Sequence, residues 1–132
     1  MEDGLVLVLD AGTGGGRVIA VDSRGRVRAR AYRAWGYTEP EGLELYGREF
    51  DPAEFEKLMA GACKQVVDAV GKDSIRGVVT TGMRQGCVFL DKEAKPLYGG
   101  PNRDVRGLIY TDEIERMAGP DTAYPITGRW PP

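Results

Sequence analysis

Leu5-Val6-Leu7-Val8-Leu9-Asp10-Ala11-Gly12-Thr13-Gly14-Gly15-Gly16-Arg17-Val18-Ile19-Ala20-Val21-Asp22 is the segment from which the rest of the chain is read. Leu5 to Leu9 is an unbroken apolar run ending at Asp10, the pattern of a strand buried on both faces. Ala11 to Gly16 holds four glycines and one threonine, which predicts a tight turn. Arg17 to Asp22 is a second apolar strand, and Ser23-Arg24-Gly25 turns the chain again. Val27, Ala29 and Ala31 alternate with Arg28, Arg30 and Tyr32, the period of a third strand with one wet face. The chain therefore opens as a three-stranded antiparallel meander.

Residues 34–50 read as a loop rich in Gly, Glu and Tyr. A helix follows: Asp51 is placed to cap it, Pro52 suits the first helical position, and Glu54 stands where a capping box requires an acid. Phe55, Leu58, Met59, Ala62, Val66, Ala69 and Val70 form an apolar stripe at helical spacing, and Gly71 is a stop. Ile75 to Thr81 is a β-branched run after a helix, so a strand parallel to an earlier one is expected. Cys87 to Asp91 and Pro96 to Tyr98 flank a hairpin turn. A second helix is predicted from about Asp104 to Met117, ended by Gly119-Pro120. The tail from Tyr124 to Pro132 shows no periodicity.

With 132 residues, 42% hydrophobic and 29% charged, the chain suits one globular domain. A net charge of −2 gives no general attraction for nucleic acid or anionic membrane. Arg17, Arg24, Arg26, Arg28, Arg30 and Arg33 crowd one stretch, opposed by Asp22. Glu39, Glu41, Glu44, Glu49, Asp51, Glu54 and Glu56 crowd the next, as two solvated faces of neighbouring elements. Two cysteines, Cys63 and Cys87, and no histidine offer neither a disulfide framework nor a zinc site, which fits a reducing cytosol. No apolar run reaches the roughly 20 residues a membrane span needs. Met1-Glu2-Asp3-Gly4 lacks the basic region of a signal peptide. A cytoplasmic protein is expected, without nucleic-acid or membrane partners.

The chemistry concentrates at residues 10–17. A hairpin there presents several backbone N–H groups to one anion, and glycine serves where the backbone approaches a phosphate closely or takes positive φ. Thr13 adds a hydroxyl, Arg17 a planar guanidinium, and Asp10 an oxygen ligand for Mg²⁺, direct or through water. Phosphoryl transfer needs those parts. The alternative is a glycine-rich β-turn that Asp10 merely caps. The segment is neither a Walker A loop, lacking Gly-Lys-Ser/Thr, nor a dinucleotide fingerprint, since a strand follows rather than a helix.

Taken together, Asp10-x-Gly12-Thr13-x-x-x-Arg17 resembles the first phosphate motif of the FGGY carbohydrate kinases, with Asp22 and Gly25 at the family's hairpin spacing. Ile75 to Gln85 resembles the family strand that ends in a substrate-binding loop. Val88-Phe89-Leu90-Asp91 with Pro96-Leu97 resembles its hairpin, Asn102-Arg103-Asp104-Val105-Arg106 its Trp-x-Asp-x-Arg segment, and Thr127-Gly128 a later Thr-Gly pair. The pieces occur in order over nearly the whole chain. The resemblance implies an α/β, ribonuclease H-like (actin-like ATPase) fold: a meander, then helix, parallel strand, hairpin and helix, incomplete relative to the family domain.

It also implies ATP-dependent phosphorylation of a sugar or polyol hydroxyl with Mg²⁺. Asp10 would lie near Mg²⁺; Gly12, Thr13, Gly14 and Arg17 would line the transferred phosphate. Arg84 and Gln85 would face substrate hydroxyls, and Asp104 and Arg106 would contact or brace that pocket. Asn102 departs from the family tryptophan, Gln85 from the glutamate of polyol-phosphorylating members, and Gly14, Gly15 and Gly16 from Thr and Ser. Residues 1–132 are then expected to be a partial N-terminal domain. The second, nucleotide-side domain and the general base would lie beyond residue 132, and the chain would be inactive alone. It would carry exposed apolar surface for the rest of the kinase or for self-association. Two further readings compete: a ribonuclease H-like nuclease of the Holliday-junction resolvase type, and a noncatalytic sugar- or phosphate-binding module paired with another chain.

Overall fold

The computed structural model describes residues 4–128; Met1-Glu2-Asp3 and Arg129-Trp130-Pro131-Pro132 of the terminal segments read above lie outside the described residues. Three strands open the fold: β1 (Leu5–Gly12), β2 (Gly15–Val21) and β3 (Val27–Ala34). Helix α1 (Pro52–Val70) leads to β4 (Ile75–Gly82), which lies parallel to β1, so the sheet order is β3-β2-β1-β4. Strands β5 (Cys87–Leu90) and β6 (Pro96–Gly100) form a separate antiparallel hairpin.

The meander and the parallel crossover are thus as expected from the apolar runs. The glycine-rich stretch is narrower as a turn than its composition implied. Gly12, Gly15 and Gly16 belong to the strand ladder, leaving Thr13-Gly14 as a two-residue connection.

Helix α1 begins as its capping residues dictate: the Asp51 carboxylate accepts from the N–H of Ala53 at 2.8 Å and of Glu54 at 3.2 Å, and Pro52 occupies the first turn. Its apolar stripe buries Met59, Ala62 and Val66 against Leu5, Leu7, Val18, Ala20 and Ala31. Cys63 and Val67 join that packing, whereas Ala69, read as part of the stripe, is exposed. The helix ends at Gly71, φ 80°, where a side chain would strain the backbone.

The expected single helix over 104–117 is not continuous. Asp104 and Val105 follow the turn at Asn102-Arg103 as irregular backbone, Arg106–Tyr110 form a 3₁₀ segment, and α2 covers only Thr111–Met117. The Asp104 side chain competes for local amides there, accepting from the Arg106 N–H at 3.0 Å, which suits a turn rather than a helix interior. Beyond Gly119, Pro120 opens a short helix α3 (Pro120–Thr127) that the tail's lack of periodicity did not reveal.

One face of the sheet packs on α1. The β4 edge stays open on both faces, with Val78 60% and Val79 52% exposed, and the β5–β6 hairpin leaves Phe89, Leu90 and Leu97 largely in solvent. That is more bare apolar surface than single scattered hydrophobes require. Among the described residues no helix is long and apolar enough to cross a membrane.

Candidate functional site

The turn between β1 and β2 is built so that its carbonyls are occupied and its amides are not. Asp10 and Arg17 are cross-strand partners, so their side chains leave the same face of the sheet, with Arg17 Nε 3.8 Å from Asp10 Oδ2. The Thr13 carbonyl accepts from Trp35 Nε1 at 3.3 Å and from the Tyr37 hydroxyl, and the Gly14 carbonyl accepts from the Tyr32 hydroxyl at 3.0 Å. Among the described residues, no hydrogen bond uses the N–H of Thr13 or Gly14 as donor. Gly14 is exposed, and a Cβ added there would meet nothing within 4 Å. The turn therefore leaves two backbone donors unused, at the tip of the hairpin whose strands carry a carboxylate and a guanidinium.

Positive φ is not what requires these glycines. None of Gly12, Gly14, Gly15 and Gly16 adopts it, unlike Gly25 in the next turn. Close packing is the requirement instead. A Cβ on Gly15 would lie 2.3 Å from the Tyr32 hydroxyl oxygen, and one on Gly16 would lie 2.1 Å from Met59 Sδ. The aromatic residues and α1 thus press against the hairpin from both faces and hold it in place.

The expected substrate residues gather only in part. A cavity of about 440 Å³ is lined by Gln85, Cys87, Phe89, Tyr98, Asp104 and Arg106, among others. Arg84 does not line it and projects into solvent from the turn after β4. Gln85 reaches the cavity from a left-handed backbone, φ 63°, a conformation that costs a non-glycine residue of the order of 1 kcal/mol.

Asp104 and Arg106 are committed to each other. The Asp104 carboxylate accepts from the Tyr98 hydroxyl, from Arg106 N and from Arg106 Nε at 3.0 Å. Burial works against its ionisation, but the bonds from Tyr98 and from the Arg106 backbone and guanidinium prevail and hold the carboxyl below its ordinary value. Burial, then the bond to Asp104, pushes the Tyr98 phenol well above its usual range. Arg106 Nη2 lies 2.9 Å from Glu49 Oε1, close enough for an ion pair but off the line of a hydrogen bond. The pair braces the cavity wall and ties it to the loop before α1, as do Val105 N–H to Tyr46 C=O at 2.8 Å and Phe50 N–H to Gly99 C=O at 2.9 Å.

Among the described residues, one side-chain bond joins the two regions: Thr13 Oγ1 donates to Asn102 Oδ1 at 3.1 Å, across 89 residues of sequence. Asn102 had stood out only as a polar departure from an aromatic position. Tyr32, Trp35, Tyr37, Tyr98 and Glu49 carry no motif in the sequence; for Trp35 and Tyr37 the signal is the run of aromatic residues just after β3.

A model of the N-terminal domain of the FGGY family of carbohydrate kinases matches residues 5–130. The chain belongs to the FGGY family of carbohydrate kinases. YoaC of Bacillus subtilis (strain 168), described as a sugar kinase by its name alone, is 33% identical over 95% of this chain and 25% of its own length. An autoinducer-2 kinase of Yersinia enterocolitica is 27% identical over 85% of this chain and 21% of its own. The solved structure of a xylulose kinase from Rhodospirillum rubrum superposes with a TM-score of 0.78 at 23% identity, over 91% of this chain and 25% of that one. That likeness carries the α/β, actin-like ATPase fold. The chain spans about a quarter of the length of the relatives it matches. Family membership replaces the nuclease reading.

Proposed function

We propose that this chain provides the phosphate-side hairpin and part of the acceptor pocket of a kinase that transfers a phosphoryl group from ATP to a hydroxyl of a sugar or other small polyhydroxylated molecule. The observation that carries the proposal is the β1–β2 turn, whose Thr13 and Gly14 amides have no hydrogen-bond partner among the described residues and which closes the two strands that carry the Asp10–Arg17 pair. An anion placed there gains the Thr13 and Gly14 N–H groups and the Arg17 guanidinium, whose fork matches phosphate oxygens. Gly12, in the ladder beside the turn, lets the backbone run close to that anion.

Asp10 suits Mg²⁺ in a limited way. Among the described residues no group of three or more acids, cysteines or histidines comes together. Mg²⁺ in phosphoryl-transfer sites commonly rests on one or two carboxylates, with phosphate oxygens and water completing six positions. Asp10, its side chain 30% exposed, fits that role. The ion would neutralise phosphate charge; Arg17 would stabilise charge as it develops on the transferred group.

In the acceptor pocket, Gln85 is the residue with an uncommitted amide, and it would hydrogen-bond substrate hydroxyls. Asp104 and Arg106 would shape the wall rather than bind directly, and Arg84 would need the turn after β4 to move. The chain is further proposed to be a partial N-terminal domain. The general base, the adenine site and the second domain would be contributed outside these 132 residues, so turnover would need them.

Titrating inorganic phosphate and MgADP into the ¹⁵N-labelled chain tests the reading. The amides of Thr13, Gly14 and Gly15 are expected to shift together and saturably. Shifts confined to other surfaces would remove the phosphate assignment. Appreciable sugar-phosphate formation by the purified chain with ATP, Mg²⁺ and a panel of sugars would overturn the claim that it is incomplete.

A further inference from the structure

The two-residue connection Thr13-Gly14 has a second conformation within easy reach. Turning over the peptide between the two central residues of such a turn converts type I into type II. The only residue that changes sign of φ is the second, here Gly14, and glycine tolerates positive φ at no steric cost. The peptide that turns carries the Thr13 carbonyl on one side and the Gly14 N–H on the other. One conformation aims the amide at the anion; the other aims the carbonyl oxygen there, and repels it. Gly14 itself lies in open space, so local sterics decide nothing.

What decides is supplied from a distance. The Thr13 carbonyl receives two donors, Trp35 Nε1 and the Tyr37 hydroxyl, and Gly14 does not adopt positive φ. We propose that Trp35 and Tyr37 are positioning residues that fix the direction of the Thr13–Gly14 peptide, so that the Gly14 N–H faces the phosphate site. The proposal rests on the reading of this turn as a phosphate site, but its structural half stands apart from it.

The test uses the 132-residue chain and inorganic phosphate as probe. Tyr37→Phe is the primary variant, because it keeps the ring while removing the donor. Trp35 packs on Phe55 at 4.3 Å between centroids, so Trp35→Phe is added only where the double variant stays folded. Tyr37→Phe is expected to weaken phosphate binding about tenfold, the order of one hydrogen bond to a charged partner. Without ligand, the Gly14 amide shift and H–N–Cα–H couplings should move toward the positive-φ values.

Adding Gly14→Ala supplies the decisive arm. Alanine disfavours positive φ and meets no neighbouring protein atom, so in the ligand-free protein Tyr37→Phe with Gly14→Ala should return the coupling at residue 14 to its negative-φ value. A purely structural role for Tyr37 would not be rescued in this way. Unchanged Gly14 couplings in Tyr37→Phe, or a positive-φ coupling that persists once Gly14→Ala is added, overturns the proposal. Should the wild-type chain bind no phosphate, the phosphate reading fails. The ligand-free couplings then decide by themselves whether Tyr37 sets the peptide.

Discussion

The turn at residues 10–17 and the turn at residues 22–26 sit at opposite ends of the same strand and are stabilised in opposite ways. In the second, Asp22 closes the turn from within. Its carboxylate accepts from the N–H of Arg24 at 2.9 Å and of Arg26 at 3.0 Å, pairs with Arg26 Nε at 2.8 Å and lies 3.7 Å from Arg28. Asp91 closes the β5–β6 turn likewise, accepting from Glu93 and Lys95, and Asp104 accepts from Arg106. Asp10 accepts no backbone amide among the described residues, and its turn is held from outside by aromatic side chains on its carbonyls. A turn whose own acid occupies its amides leaves few donors for a ligand. A turn held by its carbonyls leaves the Thr13 and Gly14 amides open.

Breaking the committed acids should cost stability; altering the open turn should cost binding. Asp104→Ala strips the buried partner of Arg106 and Tyr98 and is expected to lose about 3 kcal/mol in urea denaturation, with an unchanged m-value. Gly16→Ala drives a methyl into Met59 Sδ and should cost about 2 kcal/mol by the same measurement. Gly25→Ala, at φ 76°, should cost about 1 kcal/mol, whereas Gly14→Ala should fall within about 0.5 kcal/mol of wild type.

Acid sharpens the same contrast. The Arg26 N–H leads the bonds that, against burial, hold the Asp22 carboxyl below its ordinary value, and Asp104 is held low by Tyr98 and Arg106. A lowered carboxylate contributes stability that is complete above its unfolded pKa, near ~4, and is lost as pH falls through the folded value. The urea midpoint should therefore drop below about pH 4, and less steeply in Asp22→Asn. Arg17→Ala is expected to leave the midpoint nearly unmoved, since its pair with Asp10 is long and Arg17 is 65% exposed, while weakening phosphate binding about tenfold.

The sequence was most legible where one local rule governed the outcome. Asp51-Pro52 starts α1, Gly71 ends it, and period-two alternation marks β3, because capping, left-handed backbone and pleat depend on neighbours in the chain. It was least legible in 104–128. There an aspartate competing for backbone amides broke the expected helix, and α3 carries too little periodicity to be seen. The candidate site divides in the same way. Asp10, Gly12, Thr13 and Arg17 were recognisable because a hairpin register places them together. Arg84 and Gln85 are adjacent in sequence, yet only Gln85 lines the cavity, and Arg84 is exposed.

By itself, then, the order of apolar runs and glycines determined the meander, the parallel crossover and a glycine-rich turn between the first two strands. Only the tertiary structure decided why that turn is glycine, which aromatic side chains hold its carbonyls, and that Thr13 meets Asn102 across 89 residues. These contacts join segments up to 89 residues apart in the chain, which backbone geometry over a few residues does not bring together.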